Sequence, residues 1–320
     1  AFFKSGIPYI FEEIRKPKYN YEEHYKLNNI IQEKEIKEEI RKRKFHKAKY
    51  YETHKLSLPG SADYARFTTY FLEVSKEIPC GLRPTVVVCP GGGYHWVCSF
   101  VEGLPFARKL NNMGYHAIVV HYRCGRRHPY PTPQNDLARA IREIHSHAED
   151  WKLDLKNYSL WGSSAGGHLA GHYTNCYDCP QVREVFPESK AVNASILCYP
   201  VITSDPRHSH AGSFRNLSGH KELSNEDHEM FSLERKVTPN TPPTFLWHTA
   251  PDDCVPVMNC LLYAQALAAN KVPFTVHIYP DGWHGLATVD DTTNNPLPEK
   301  IAQANGWLDA ACLWLKTVFA

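Results

Sequence analysis

Between residues 84 and 279, short apolar runs alternate with segments of helical pattern, and this alternation is the strongest constraint on the fold. Residues 84–89 (Pro-Thr-Val-Val-Val-Cys) have no polar alternation, as expected of a strand covered on both faces. Further strand patterns lie at 117–122, 158–161, 195–199, 244–248 and 274–279. Helical patterns lie at 100–113, 135–151, 165–173, 261–270 and 305–319. Strands that alternate with helices of this length build a mostly parallel sheet with helices on both faces. Gly114 is placed to cap the helix before it. The polar stretch 203–243, rich in His, Ser and Asn, breaks the rhythm and reads as an insertion or small cap over the sheet edge.

At 320 residues with 42% apolar content, the chain can bury one large core. Its formal charge is only +2, which gives no global case for nucleic acid. The basic excess is local: residues 1–50 hold 13 Lys and Arg against 8 Asp and Glu. Residues 20–50 read as a charged helix with acidic and basic residues at pairing distance and a thin apolar stripe. The expected organisation is an N-terminal helical extension over 1–54 and an α/β domain over 55–320. The extension reads as a solvated helix along the body, or as a cap or a homo-oligomer contact; interleaved acids argue against a nucleic-acid arm. No run of 18 apolar residues is present to span a membrane, and no secretory signal is visible. Ten scattered cysteines, several in strand patterns, suggest a reduced, cytoplasmic setting. A start at Ala1 without methionine leaves a removed leader open as the alternative. Cys176 and Cys179 form a lone C-x-x-C with no second pair for zinc.

Gly162-Ser163-Ser164-Ala165-Gly166 fits G-x-S-x-G and sits between a strand pattern and a helix pattern. A sharp strand-to-helix turn would lift the Ser164 hydroxyl clear of the sheet, and small neighbours permit that backbone. The helix N-terminus would then face developing negative charge. Pro90-Gly91-Gly92-Gly93-Tyr94 follows the first strand pattern. Its glycines allow a close backbone approach, so the N–H of Gly92 or Gly93, with that of Ala165, are the expected oxyanion donors. A phosphate loop is disfavoured, because the Gly-Lys-Ser/Thr ending is missing.

A serine hydroxyl needs a base. His284, in Asp281-Gly282-Trp283-His284-Gly285, follows the last strand pattern and stands in the chain order Ser…Asp…His. The acid should follow the preceding strand, where Asp252 and Asp253 both qualify.

The combination of these pieces resembles the α/β-hydrolase esterases known as acetyl esterases or acetylxylan esterases, related to the hormone-sensitive-lipase group. The matching pieces are Pro90-Gly-Gly-Gly-Tyr94, Gly162-Ser-Ser-Ala-Gly-Gly-His168, Trp247-His-Thr-Ala-Pro-Asp252 with Val255-Pro256, and Gly282-Trp-His-Gly285. Glu102-Gly-Leu-Pro-Phe-Ala107, His121-Tyr-Arg123 and the helix entry from Pro133 to Ile141 also fit. The resemblance implies an α/β-hydrolase fold over residues 84–320. It selects Asp252, three residues before Val-Pro, as the acid. Pro90 stands where the lipase-type motif begins with His; the backbone donors do not depend on that side chain.

The resulting expectation is a serine esterase that forms an acyl-enzyme on Ser164 and needs neither metal nor organic cofactor. Its substrate would be a small-molecule or oligosaccharide ester, with a short acyl group on a carbohydrate as the leading choice. Tyr94, His95, Trp96 and Trp283 flank the motifs, and Tyr94, Trp96 and Trp283 are candidate substrate contacts through their aromatic faces. The rivals are a general carboxylesterase or short-chain lipase, a peptidase, which would call for a propeller-like or large cap domain ahead of the hydrolase part, and a catalytically silent binding protein on the same scaffold.

Overall fold

The computed structural model describes residues 51–56, 65–73, 81–294 and 296–320. The charged helix expected over 20–50, and with it most of the proposed extension, lies outside them. The compact unit that carries the sheet is Tyr50–Ala320. Its strands are β1 (Glu52–Lys55), β2 (Arg66–Tyr70), β3 (Arg83–Cys89), β4 (His116–His121), β5 (Leu153–Ser163), β6 (Ala194–Cys198), β7 (Thr244–Thr249) and β8 (Phe274–Tyr279). They form one sheet in the order β1-β2-β4-β3-β5-β6-β7-β8. β1 and β2 are antiparallel to their neighbours; every pairing from β4 to β8 is parallel. The mostly parallel sheet expected from the apolar runs is therefore present, with two antiparallel strands added at one edge.

The lack of alternation in these strands has the expected cause. Val87, Cys89, Leu160, Leu197 and Leu246 point to one face; Val86, Val88, Trp161, Ile196, Phe245 and Trp247 point to the other, and all are buried. The first face is covered by α3 (Thr132–Ser146), α4 (Ser164–Cys176) and α8 (Met258–Ala269); the second by α2 (Leu104–Asn112) and α9 (Trp307–Val318). A one-turn helix, α1 (Ser99–Glu102), precedes α2, and a short α5 (Pro180–Val185) follows α4. The single helix expected over 100–113 breaks at Gly103, where a Cβ would lie 2.9 Å from the Val119 side chain.

On the second face, Trp307 stacks on Trp247 at 4.7 Å and meets Trp161 at 5.3 Å. Each ring of this size buries on the order of 200 Å², or about 5 kcal/mol of gross transfer free energy. The Trp307 indole N–H donates to the Ala287 carbonyl at 3.0 Å, so this aromatic block also fixes the loop that follows His284.

The parallel strands end level with one another. Cys89 pairs with Gly162, Ser163 with Cys198, and Thr249 with Tyr279. The loops that leave β3, β5, β7 and β8 therefore emerge along one carboxyl edge, where open α/β sheets gather their functional groups. The 203–243 segment, between β6 and β7, contains α6 (Ala211–Ser218) and α7 (Asn225–Phe231). Ser224 and Asp227 close α7 with a reciprocal capping box.

Candidate active site

β5 ends at Ser163 and α4 begins at Ser164, with no intervening loop. Ser164 takes φ +53°, a left-handed conformation that costs a non-glycine residue free energy. The flanking glycines make the turn possible. A Cβ on Gly162 would run into the Gly166 carbonyl, and one on Gly166 would run into the carbonyls of Cys89 and Pro90. The G-x-S-x-G spacing is thus a packing requirement: strand, helix and glycine loop touch backbone to backbone.

Ser164 Oγ lies 2.8 Å from His284 Nε2, and His284 Nδ1 lies 2.8 Å from Asp252 Oδ2. A carboxylate only accepts, so Nδ1–H donates to Asp252 and Nε2 is left to accept the serine proton. The other Asp252 oxygen accepts the N–H groups of Cys254 at 3.0 Å and Val255 at 2.9 Å. A second histidine, His248, reaches Asp252 Oδ2 at 3.2 Å while its Nε2–H donates to the Val255 carbonyl at 2.8 Å. Burial by itself would raise the Asp252 carboxyl. The hydrogen bonds from His248 and His284, the His284 charge and the Val255 N–H outweigh it and hold the group well below the usual carboxylate range. Asp253, the alternative acid, is exposed.

Facing Ser164 is the glycine loop. The Gly91 carbonyl accepts the Cys98 N–H at 2.9 Å, and the Gly92 carbonyl accepts those of His95 and Trp96 at 3.0 and 3.2 Å. In a trans peptide the next N–H points opposite to the carbonyl. The N–H groups of Gly92 and Gly93 are therefore turned away from the 95–98 turn and held there. Ala165 sits in the first turn of α4, whose N–H groups have no partner within the helix.

Comparison with known proteins adds the family. The BD-FAE family model matches residues 76–267, more than half of the chain, including Ser164 and Asp252. The chain belongs to the BD-FAE family of α/β hydrolases. The segment bearing His284 lies beyond that match. The chain is 38% identical over 216 residues to endo-1,4-beta-xylanase B of Butyrivibrio fibrisolvens, covering 65% of this chain and 33% of that protein. It is 31% identical over 207 residues to an acetylxylan esterase of Xylanibacter ruminicola, covering 63% and 40%. The chain thus spans a third to two fifths of the length of these curated relatives. Among solved structures, it resembles an acetyl ester-xyloside bifunctional hydrolase from Caldicellulosiruptor lactoaceticus, with TM-score 0.69, 32% identity, and 82% and 91% of the two chains covered. A carboxylesterase from Lactobacillus plantarum gives TM-score 0.72 at 28% identity, with 83% and 97% covered.

In this BD-FAE family member the aromatic candidates divide. Trp96 and Trp283 are 41% and 43% exposed. Tyr94 does not join them, and the expectation that it lines the substrate site is corrected. Its ring is fully buried, and its hydroxyl donates to His168 Nδ1 at 2.9 Å. His168 in turn donates from Nε2 to the Phe231 carbonyl at 2.8 Å. Tyr94 is a strut between the glycine loop and the helix behind Ser164, because His168 supplies the acceptor that a buried hydroxyl requires.

Several polar residues of the site do not appear among the sequence-level candidates. Glu102 and His248 lie in quoted motif segments, but an acid or histidine within an apolar run carries no sign of its partner. Asn216 and His210 come from the insertion. Asn216 Nδ2 donates to the Gly93 carbonyl at 3.0 Å, and a Cβ on Gly93 would lie 3.7 Å from His210 Cε1. His210 is held by Ser213 Oγ at 2.7 Å. Nothing in a polar, irregular segment announces which of its residues reach back to the site.

His168 also leads to a stability prediction. Its burial pushes its pKa down to about 4, only partly offset by the Phe231 carbonyl. The unfolded chain, with a histidine near 6.5, binds the proton first, so stability falls as pH drops from about 6.5 towards 4. For His168 alone the loss is about 2 kcal/mol by pH 5. Urea unfolding at pH 7.5 and 5.0 should show a loss smaller by that amount in His168→Gln than in the wild type. An equal loss in both proteins would refute the assignment.

Proposed function

We propose that this chain is a serine esterase that hydrolyses short-chain acyl esters through an acyl-enzyme on Ser164, and that its preferred reaction is the deacetylation of a carbohydrate. The observation that carries the reading is the unbroken 2.8 Å relay from Ser164 through His284 to Asp252, at a strained turn facing a loop of fixed glycine N–H groups.

Each group has a task in this chemistry. Ser164 Oγ attacks the acyl carbon as its proton passes to His284 Nε2. Asp252 keeps the ring in the required tautomer and stabilises the imidazolium, without taking the proton. The N–H of Gly92 or Gly93, with that of Ala165, receives the developing oxyanion; one such donor is worth on the order of 3 kcal/mol of transition-state stabilisation. His284 Nε2–H then protonates the leaving alkoxide. Water, deprotonated by the same nitrogen, attacks the acyl carbon; the bond to Ser164 Oγ breaks, the acid is released, and His284 Nε2–H returns the proton to Ser164. No step calls for a cofactor.

The carbohydrate preference rests on two supports. The relatives carry the names acetylxylan esterase and acetyl ester-xyloside hydrolase. Trp96 and Trp283 offer exposed rings of the kind that stack on a sugar. The likeness to a carboxylesterase favours the second reading, a general carboxylesterase using the same site. A substrate panel separates the two. On the leading reading, purified protein releases acetate from acetylated xylo-oligosaccharides and monosaccharides with a higher kcat/KM than from ethyl or phenyl acetate. Rapid cleavage of the simple esters with the acetylated sugars untouched would leave the carboxylesterase. No turnover of either class would end the esterase reading.

A further inference from the structure

Glu102 ends the single turn of α1, and its carboxyl is buried behind the glycine loop. One oxygen, Oε2, accepts the Gly91 N–H at 2.7 Å; the other, Oε1, accepts the Tyr199 hydroxyl at 2.7 Å. A Cβ on Gly91 would lie 2.7 Å from that Oε2 and 2.8 Å from Ser164 Cβ, so the carboxyl rests against the peptide nearest the nucleophile. Tyr199 follows β6 with a left-handed backbone, φ +36°. Its oxygen also accepts the Ala287 N–H at 3.2 Å, three residues after His284. Its ring meets the His284 imidazole edge-on, with centroids 5.1 Å apart.

Two elements that must keep their mutual distance thus converge on one carboxyl, the donor loop directly and the His284 loop through Tyr199 and Ala287, and both Glu102 and Ser164 lie against Gly91. A carboxyl in this place costs free energy, and burial pushes its pKa up against the hydrogen bonds from Tyr199 and Gly91. An apolar side chain would fill the same space without that penalty, but could hold neither Gly91 nor Tyr199. We infer that Glu102 is a positioning residue of the esterase reaction, setting the oxyanion donors of the glycine loop in register with His284 through Gly91 and Tyr199. The inference rests on the esterase reading above.

Glu102→Gln tests it. The amide has one acceptor oxygen where the carboxyl had two, so either Gly91 N–H or the Tyr199 hydroxyl loses its acceptor. The expected result with p-nitrophenyl acetate is a fall in kcat of about 10- to 100-fold with KM within about twofold, since the donors act on the transition state. Affinity for an arylboronic acid, which forms a tetrahedral adduct on the serine, should fall in parallel. Tyr199→Phe keeps the ring and removes the hydroxyl that links Glu102 and Ala287; it should lower kcat in the same direction and carries the test if Glu102→Gln does not fold. A folded Glu102→Gln with wild-type kcat and boronate affinity overturns the inference, as does an unchanged kcat in Tyr199→Phe. These results require an active wild type. A wild type that cleaves no ester overturns the functional reading and the inference together.

Discussion

Ser164→Ala should lose esterase turnover by about 10⁴- to 10⁶-fold in kcat/KM, because the atom that forms the acyl bond is gone. The substitution is unusually clean. Alanine carries the same left-handed strain at φ +53°, and it removes a hydroxyl whose described partner is His284 Nε2. The thermal midpoint should therefore stay close to that of the wild type. Residual activity, if any, comes from the glycine-loop donors and from binding. The check is p-nitrophenol release from the acetate ester, read beside a melting curve. Turnover retained in a folded variant would remove Ser164 from the chemistry.

The second large effect separates two neighbouring acids. Asp252→Asn should lower kcat by about 10⁴-fold, whereas Asp253→Asn should stay within about twofold. The asymmetry follows from donor and acceptor counting. An asparagine at 252 can still present oxygen to the N–H groups of Cys254 and Val255, which leaves its NH₂ facing His284 and His248. His284 Nδ1 must then accept, so Nε2 carries the proton and can no longer take one from Ser164. His248 Nε2–H meets a second donor, so this variant also loses stability. Asp253 is exposed, and an amide there changes little. Steady-state kinetics of the two variants, with a Tm for each, decide the matter. Equal losses at both positions would leave the acid unassigned.

The strands from β3 to β7 were legible because burial on both faces erases polar alternation; β8 is an edge strand with Val276 and Ile278 exposed, and its apolar run has no such cause. β2 was not legible: Arg66-Phe-Thr-Thr-Tyr70 is short and part polar, and its place is set by pairing with β4, which no local pattern records. The helices of the insertion were equally hidden. α6 and α7 are 8 and 7 residues long, too short for a full amphipathic period to stand out. In the site, Ser164, His284 and Asp252 could be read because chain order and turn chemistry constrain them together. Tyr94 could not be placed, since an aromatic beside a glycine loop looks the same whether it faces solvent or core. Glu102, His248 and His168 depend on partners 97, 4 and 63 residues away respectively, a relation that only folding creates.

Asn216 and Phe231 set a boundary on how this chain can diversify. The 203–243 segment is fastened at two points to the proposed active site: Asn216 holds the Gly93 carbonyl, and the Phe231 carbonyl holds His168 in the helix that begins at Ser164. Grafting in the corresponding segment of a relative to change the substrate is therefore not a free exchange of loops. On the esterase reading, a graft that keeps an amide at 216 and a carbonyl in reach of His168 should leave turnover intact and vary the rest of the segment, His210 included. A graft that ignores either point should disturb the glycine loop or the helix that begins at Ser164 along with the surface it was meant to change.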